Sequence, residues 1–181
     1  EGRMETAEFI AQAIERVRNG TIRVVKDLTQ EELAWRTGPE SNSTAFLLFH
    51  IFRTADSILA RLTDGEPQFW DVGNWARRWT LPTPPADAHA AWSTGNGWTP
   101  ADLAAFEPPE LDDLLGYGAA VHARGLSLMR AMDQARLEAP VSASRPDVTV
   151  ASSLLGVVTH EAPHTGQIDY ILGLRRVAIG D

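Results

Sequence analysis

The stretch Thr149–Arg176, TVASSLLGVVTHEAPHTGQIDYILGLRR, decides how the chain folds. Val150, Leu154, Val157, Val158, Ile168, Ile171 and Leu172 recur largely at spacings of three and four, as expected of a helix that buries one face. Pro163 lies inside the pattern. It removes the backbone bond to the Thr159 carbonyl, which costs about 3 kcal/mol in a regular helix. Because the apolar period resumes with Ile168, Ile171 and Leu172, the helix is expected to bend at Pro163 rather than end there. Within this segment His160-Glu161-Ala162-Pro163-His164 places two histidines at i and i+4, on one side of the helix, where one divalent ion can reach both.

A second helix is expected from an N-cap at Ser43, after the turn residues Gly38–Ser43, to about Leu62. Leu47, Leu48, Ile51, Phe52, Ala55, Ile58, Leu59 and Leu62 form its core stripe. His50 falls outside that stripe, beside Arg53, Thr54, Ser57 and Arg61. Two readings follow: a solvent-facing histidine on a polar face, or the wall of a wet cleft. Under the second, His50, His160 and His164 would hold a metal ion with a coordination position left open, the geometry of a reactive site.

The same period predicts a first helix over Glu5–Leu28, weakened at Asn19-Gly20, and a third over Glu110–Ala135. Thr29 and Glu32 stand in capping-box spacing between the first two. His122 on the third helix reads as a lone structural or exposed histidine. No alternating run is long enough for a strand. The expected class is all-α, a four-helix bundle with a long irregular connection between helices two and three. That connection, Thr63–Pro109, carries Trp70, Trp75, Trp79, Trp92 and Trp98, with one short helix expected after the Thr99-Pro100-Ala101-Asp102 cap. So many tryptophans argue against disorder. They are expected to plug the bundle or, around Trp75 and Trp79, to wall the metal pocket or meet a second subunit.

Composition narrows the function classes. The 181 residues include 44% hydrophobic and 22% charged residues, as in a folded globular domain. A formal charge of −8 with scattered basic residues argues against nucleic acid or an anionic membrane as partner. No apolar run approaches the roughly 20 residues that span a bilayer. Cysteine is absent, which removes disulfides and thiolate ligands and fits a cytoplasmic protein. Glu1-Gly2-Arg3 before Met4 reads as a tag remnant, leaving residues 4–181 as a single domain.

His160-Glu161-Ala162-Pro163-His164 also matches the H-E-x-x-H pattern of zinc peptidases. Pro163 inside the motif argues against that reading. So do Gln167 and Tyr170 at the positions of the elongated pattern's glycine and last histidine, and the lack of a sheet edge to bind an extended peptide. Glu161 is offset from the ligand face by about a quarter turn. It reads as a solvated acid, with a catalytic base as the alternative. Gln167, one turn beyond His164, is expected to be an outer partner of that ligand or a substrate contact. Arg53 and Arg61 are expected to be able to receive a substrate carboxylate.

Leu33-Ala34-Trp35-Arg36, Asn42-Ser43-Thr44-Ala45 and Leu47-Leu48-Phe49-His50 together resemble the first metal-binding helix of the DinB-like superfamily. His160, three residues, His164-Thr165-Gly166-Gln167-Ile168 is similar to that superfamily's second motif, and the resemblance extends from about Glu5 to Gly173. It implies an up-down-down-up bundle, often dimeric, with His50, His160 and His164 as ligands of zinc, nickel or a similar ion. It also implies a solvent-accessible pocket and, in characterised relatives, S-transfer with thiols such as bacillithiol or mycothiol, or mycothiol-dependent maleylpyruvate isomerisation. The departure is Pro163, which would tilt His160 relative to His164. The expected function is a divalent-metal-dependent enzyme activating a thiol toward a small-molecule substrate. A hydrolase at the same site and a non-catalytic metal-binding protein are the alternatives.

Overall fold

The structure is a computed structural model and describes residues 5–63 and 65–180. The residues read as a tag remnant lie outside that range. Four long helices dominate: α1 (Thr6–Val25), α3 (Thr44–Ala60), α7 (Leu111–Arg130) and α9 (Val150–Ile179). Short helices α2 (Gln30–Ala34), α4 (Phe69–Val72), α5 (Trp75–Arg78), α6 (Pro100–Ala105) and α8 (Gln134–Glu138) join them, with a 3-10 turn at Ala90–Thr94. Helices α1 and α3 each pack against both α7 and α9, so the four enclose one core. No helix among the described residues is long and apolar enough to cross a membrane.

Local chemistry sets the helix starts. Ser43 accepts from the Phe46 amide and Thr149 from the Ser152 amide, while Thr29–Glu32 and Thr99–Asp102 form complete capping boxes. Helix α9 runs unbroken through Pro163, so His160 and His164 keep their common helical face. Gly118 lets α7 approach α3 and α1, since a β-carbon there would lie 2.8 Å from the Phe52 ring and 2.9 Å from Arg18 Nη1.

Several expectations need correction. Helix three ends at Arg130, and the residues after it form α8 and an antiparallel pair, β1 (Pro140–Ser142) with β2 (Arg145–Thr149). These strands are too short for a period-two signal, and two prolines interrupt them. Phe9 falls within the apolar residues that recur at spacings of three and four along Glu5–Leu28, yet it is 61% exposed. The buried face of α1 is Ile10, Ala11, Ile14, Arg18, Thr21 and Val25, with two polar residues taking core positions.

The long connection explains why α3 is buried on nearly every side. Its outer face reads as polar, yet Arg53 and Asp56 are 1% and 0% exposed. Asp56 accepts from the Phe69 and Trp70 amides at 3.1 and 2.9 Å and from the Tyr117 hydroxyl at 2.8 Å. Arg53 donates to Gln68 Oε1 at 2.9 Å and to Tyr117 at 3.1 Å, and its guanidinium lies 4.4 Å from the Trp70 ring centre. The connection is thus fastened over α3 by a buried charged pair. Arg53 is committed to this network and does not stand as a surface receptor for substrate.

Candidate metal centre

His50 on α3 meets His160 and His164 because α3 and α9 are neighbours at this level. The ring centres lie 4.8 Å apart for His50–His160, 5.0 Å for His50–His164 and 4.6 Å for His160–His164. One nitrogen from each lies within 4.8 Å of the others, and no carboxylate joins this group among the described residues. The cleft reading of His50 therefore holds over the solvent-facing one: the ring is half-buried.

Two outer contacts orient the rings. His50 Nδ1 lies 2.7 Å from the Thr94 carbonyl oxygen, which can only accept, so Nδ1 carries the proton and Nε2 presents a lone pair. His164 Nδ1 lies 2.7 Å from Gln167 Oε1; with the amide so oriented, His164 Nε2 is likewise left as the ligating atom. His50 Nε2 and His160 Nε2 are 3.1 Å apart. Two nitrogens on one tetrahedral zinc at ordinary bond lengths are separated by about 3.3 Å. Three imidazoles with a nitrogen each turned toward the others, two of them oriented through the far ring nitrogen, could hold a metal ion.

Burial lowers the pKa of His50, with the His164 charge adding to the effect and the Thr94 carbonyl opposing it. His160 is lowered to about 4, by burial first and then by His50 and His164. Both shifts favour the neutral, ligand-competent rings at physiological pH. In the metal-free protein, the unfolded chain binds more protons at His160 than the folded chain between pH about 6.5 and about 4. That share of stability is present above 6.5 and lost as the pH falls through the window. Thermal melts of chelator-treated protein at pH 7 and pH 5 check this: wild type should lose more stability between them than His160→Ala.

The sequence missed the Thr94 carbonyl. It is a backbone atom in the 3-10 turn, and the signal that could have found it is the turn chemistry of Ser93-Thr94-Gly95-Asn96-Gly97. Gly95 has φ 86°, and a β-carbon there would lie 2.8 Å from Phe46, so only glycine lets the turn settle on that ring. Phe46 in turn stacks parallel to His50 at 6.0 Å. Arg53 reaches the same turn, with Nε 3.3 Å from the Ser93 carbonyl. The long connection does contribute to the site, but through this turn. Trp75 and Trp79 instead pack on Tyr117, with ring centres 5.3 and 5.7 Å away, and wall no part of the cavity beside the histidines. Packing on the buried Tyr117 is what draws them away from it.

Glu161 is also corrected. It is 5% exposed, accepts from Thr21 on α1 at 2.7 Å, and lines an interior cavity with Arg18. Burial raises its pKa, against the Thr21 hydrogen bond and the Arg18 charge. It is an interior acid tying α9 to α1, because the quarter-turn offset points it at that helix. His122, expected to be structural or exposed, is half-buried beside the same cavity.

The cavity beside the centre has a volume of about 370 Å³, and its lining includes His50, Thr54, Ser57, Arg61, Asn96 and His160. A larger groove of about 710 Å³ lies between Leu62, Phe69, Arg124 and Met132 and contains none of the three histidines. Size therefore does not locate the chemistry. Among the described residues, Gln167 is the one side chain hydrogen-bonded to the far nitrogen of one of these histidines. Replacing it by leucine should weaken zinc binding about 10–100-fold, the usual cost of an outer partner. Competition against a fluorescent chelator measures that shift.

Residues 13–168 match the sequence profile of the DinB superfamily, and the chain belongs to that superfamily. Its fold is similar to the crystal structure of a conserved protein from Enterococcus faecalis, with a TM-score of 0.80 and 20% identity over 99% of this chain and 100% of that one. No curated protein matches the chain.

Proposed function

We propose that residues 4–181 form a single up-down-down-up domain, a metal-dependent enzyme in which His50, His160 and His164 hold one zinc or nickel ion beside a small-molecule pocket. The observation that carries this reading is the convergence of three imidazoles, two of which, His50 and His164, have their far nitrogens taken by Thr94 and Gln167. When bound, such an ion supplies Lewis acidity, which lowers the pKa of a thiol or water and polarises an electrophile. The chain's own part is to orient and enclose. Thr94 fixes His50, Gln167 fixes His164, and Phe46 presents a flat apolar face that limits movement of the His50 ring. Thr54, Ser57 and Asn96 give the cavity hydrogen-bonding walls.

The position of Glu161 favours thiol activation over hydrolysis. A hydrolase of the H-E-x-x-H kind takes its proton with that glutamate, and here the carboxyl is bonded to Thr21 inside the bundle. A thiol ionises near pH 8.5 unaided and has less need of a base. Metal-loaded protein assayed with a panel of low-molecular-weight thiols and small electrophiles tests the reading. Thiol-dependent turnover that disappears in His160→Ala is expected. Thiol-independent hydrolysis would establish the hydrolase instead. Metal bound without any turnover would contradict catalysis.

A further inference from the structure

His50, Thr54 and Ser57 on α3 and Arg61, which caps its C-terminus, follow one another at helical spacing, and all four line the cavity beside the histidines. From His50 to Arg61 the helix rises roughly 16 Å. Arg61 also borders a second cavity of about 230 Å³, where it faces Arg145 of β2 together with the hydroxyl residues Ser142 and Ser153, above Ile58 and Val141. Two guanidinium groups thus share one recess in a chain of net charge −8. No carboxylate among the described residues lies within ion-pair distance of either, although Arg53, Arg78, Arg124 and Arg175 all have such partners. Burial first, and then the neighbouring Arg145 charge, lower the pKa of Arg61. The recess also lies at the start of the thirty-residue helix α9, whose first turn contributes Ser153 and whose dipole favours negative charge there.

We infer that Arg61 and Arg145 form the anion-binding end of the substrate groove, taking the carboxylate or phosphate of an elongated small molecule whose reactive end lies at the three histidines. Two planar guanidinium forks and two hydroxyl groups suit an oxyanion. The location of the reactive end rests on the function proposed above; the anion site itself does not.

Calorimetric titration of inorganic phosphate and of succinate tests it in metal-loaded wild type, Arg61→Gln and Arg145→Gln, and in His160→Ala, which is expected to lack the metal. Both arginines are exposed, so their variants should fold. At least one anion should bind wild type, bind tenfold or more weakly in each arginine variant, and bind undiminished in His160→Ala. Which anion binds separates phosphate from carboxylate. Binding as tight as wild type in either arginine variant, binding that needs the metal, or no binding of either anion overturns the site. In the active enzyme, Arg61→Gln should raise KM about tenfold with kcat little changed, and an unchanged KM would overturn the link to the groove. Loss of metal or turnover with the anion still bound would count against the proposed function alone.

Discussion

Replacing His50 or His160 by alanine reduces bound metal from about one ion per chain to less than a tenth of that after dialysis against a weak chelator. Each substitution leaves two imidazoles, and no carboxylate among the described residues is grouped with them to take the vacated position. Cysteine is absent from the chain, so no thiolate can substitute. The fold should survive. The stability of α3 and α9 in the bundle comes from buried apolar residues such as Leu47, Ile51, Leu154 and Ile168 rather than from the histidines. Elemental analysis with circular dichroism on the same samples checks both halves. Full metal content in both variants would remove the ligand assignment.

Asp56→Ala destabilises the protein by about 3–5 kcal/mol, which for a chain of this size lowers Tm by roughly 10 °C. Asp56 is fully buried and is the acceptor that Phe69, Trp70 and Tyr117 share. Removing it orphans two backbone amides and a hydroxyl and leaves Arg53 buried without its counter-charge. The direct Arg53–Asp56 contact is long, at 3.5 Å, so the larger part of the loss comes from those orphaned donors. The damage should also reach the metal centre. Arg53 holds Ser93, one residue before the carbonyl that orients His50, so zinc affinity should fall although no ligand is touched. Chemical denaturation and chelator competition measure the two effects. A loss below about 1 kcal/mol would show that the network does not fasten the connection.

What could be read from the sequence was local. Ser43, Thr29 and Thr99 mark helix starts because a cap bonds within three residues of itself. The His160–His164 pair was legible because i and i+4 share a face. Long-range cover was not. Arg53 and Asp56 look like a polar surface until a connection ten to forty residues away folds over them. The partner of Glu161, Thr21, stands 140 residues distant on another helix. The tryptophans signalled that the connection is packed, but not which part reaches the histidines. That depended on the turn at Gly95 and on a backbone carbonyl, and turn chemistry marks a bend without saying what the bend will touch.

The central claim is that three imidazoles, and no other protein group, hold one divalent ion. X-ray absorption at the metal edge of zinc-loaded wild-type protein tests it most directly. The account predicts three imidazole nitrogens at about 2.0–2.1 Å with the remaining position taken by a light solvent atom. Two or fewer imidazoles, or a carboxylate in the first shell, would contradict it.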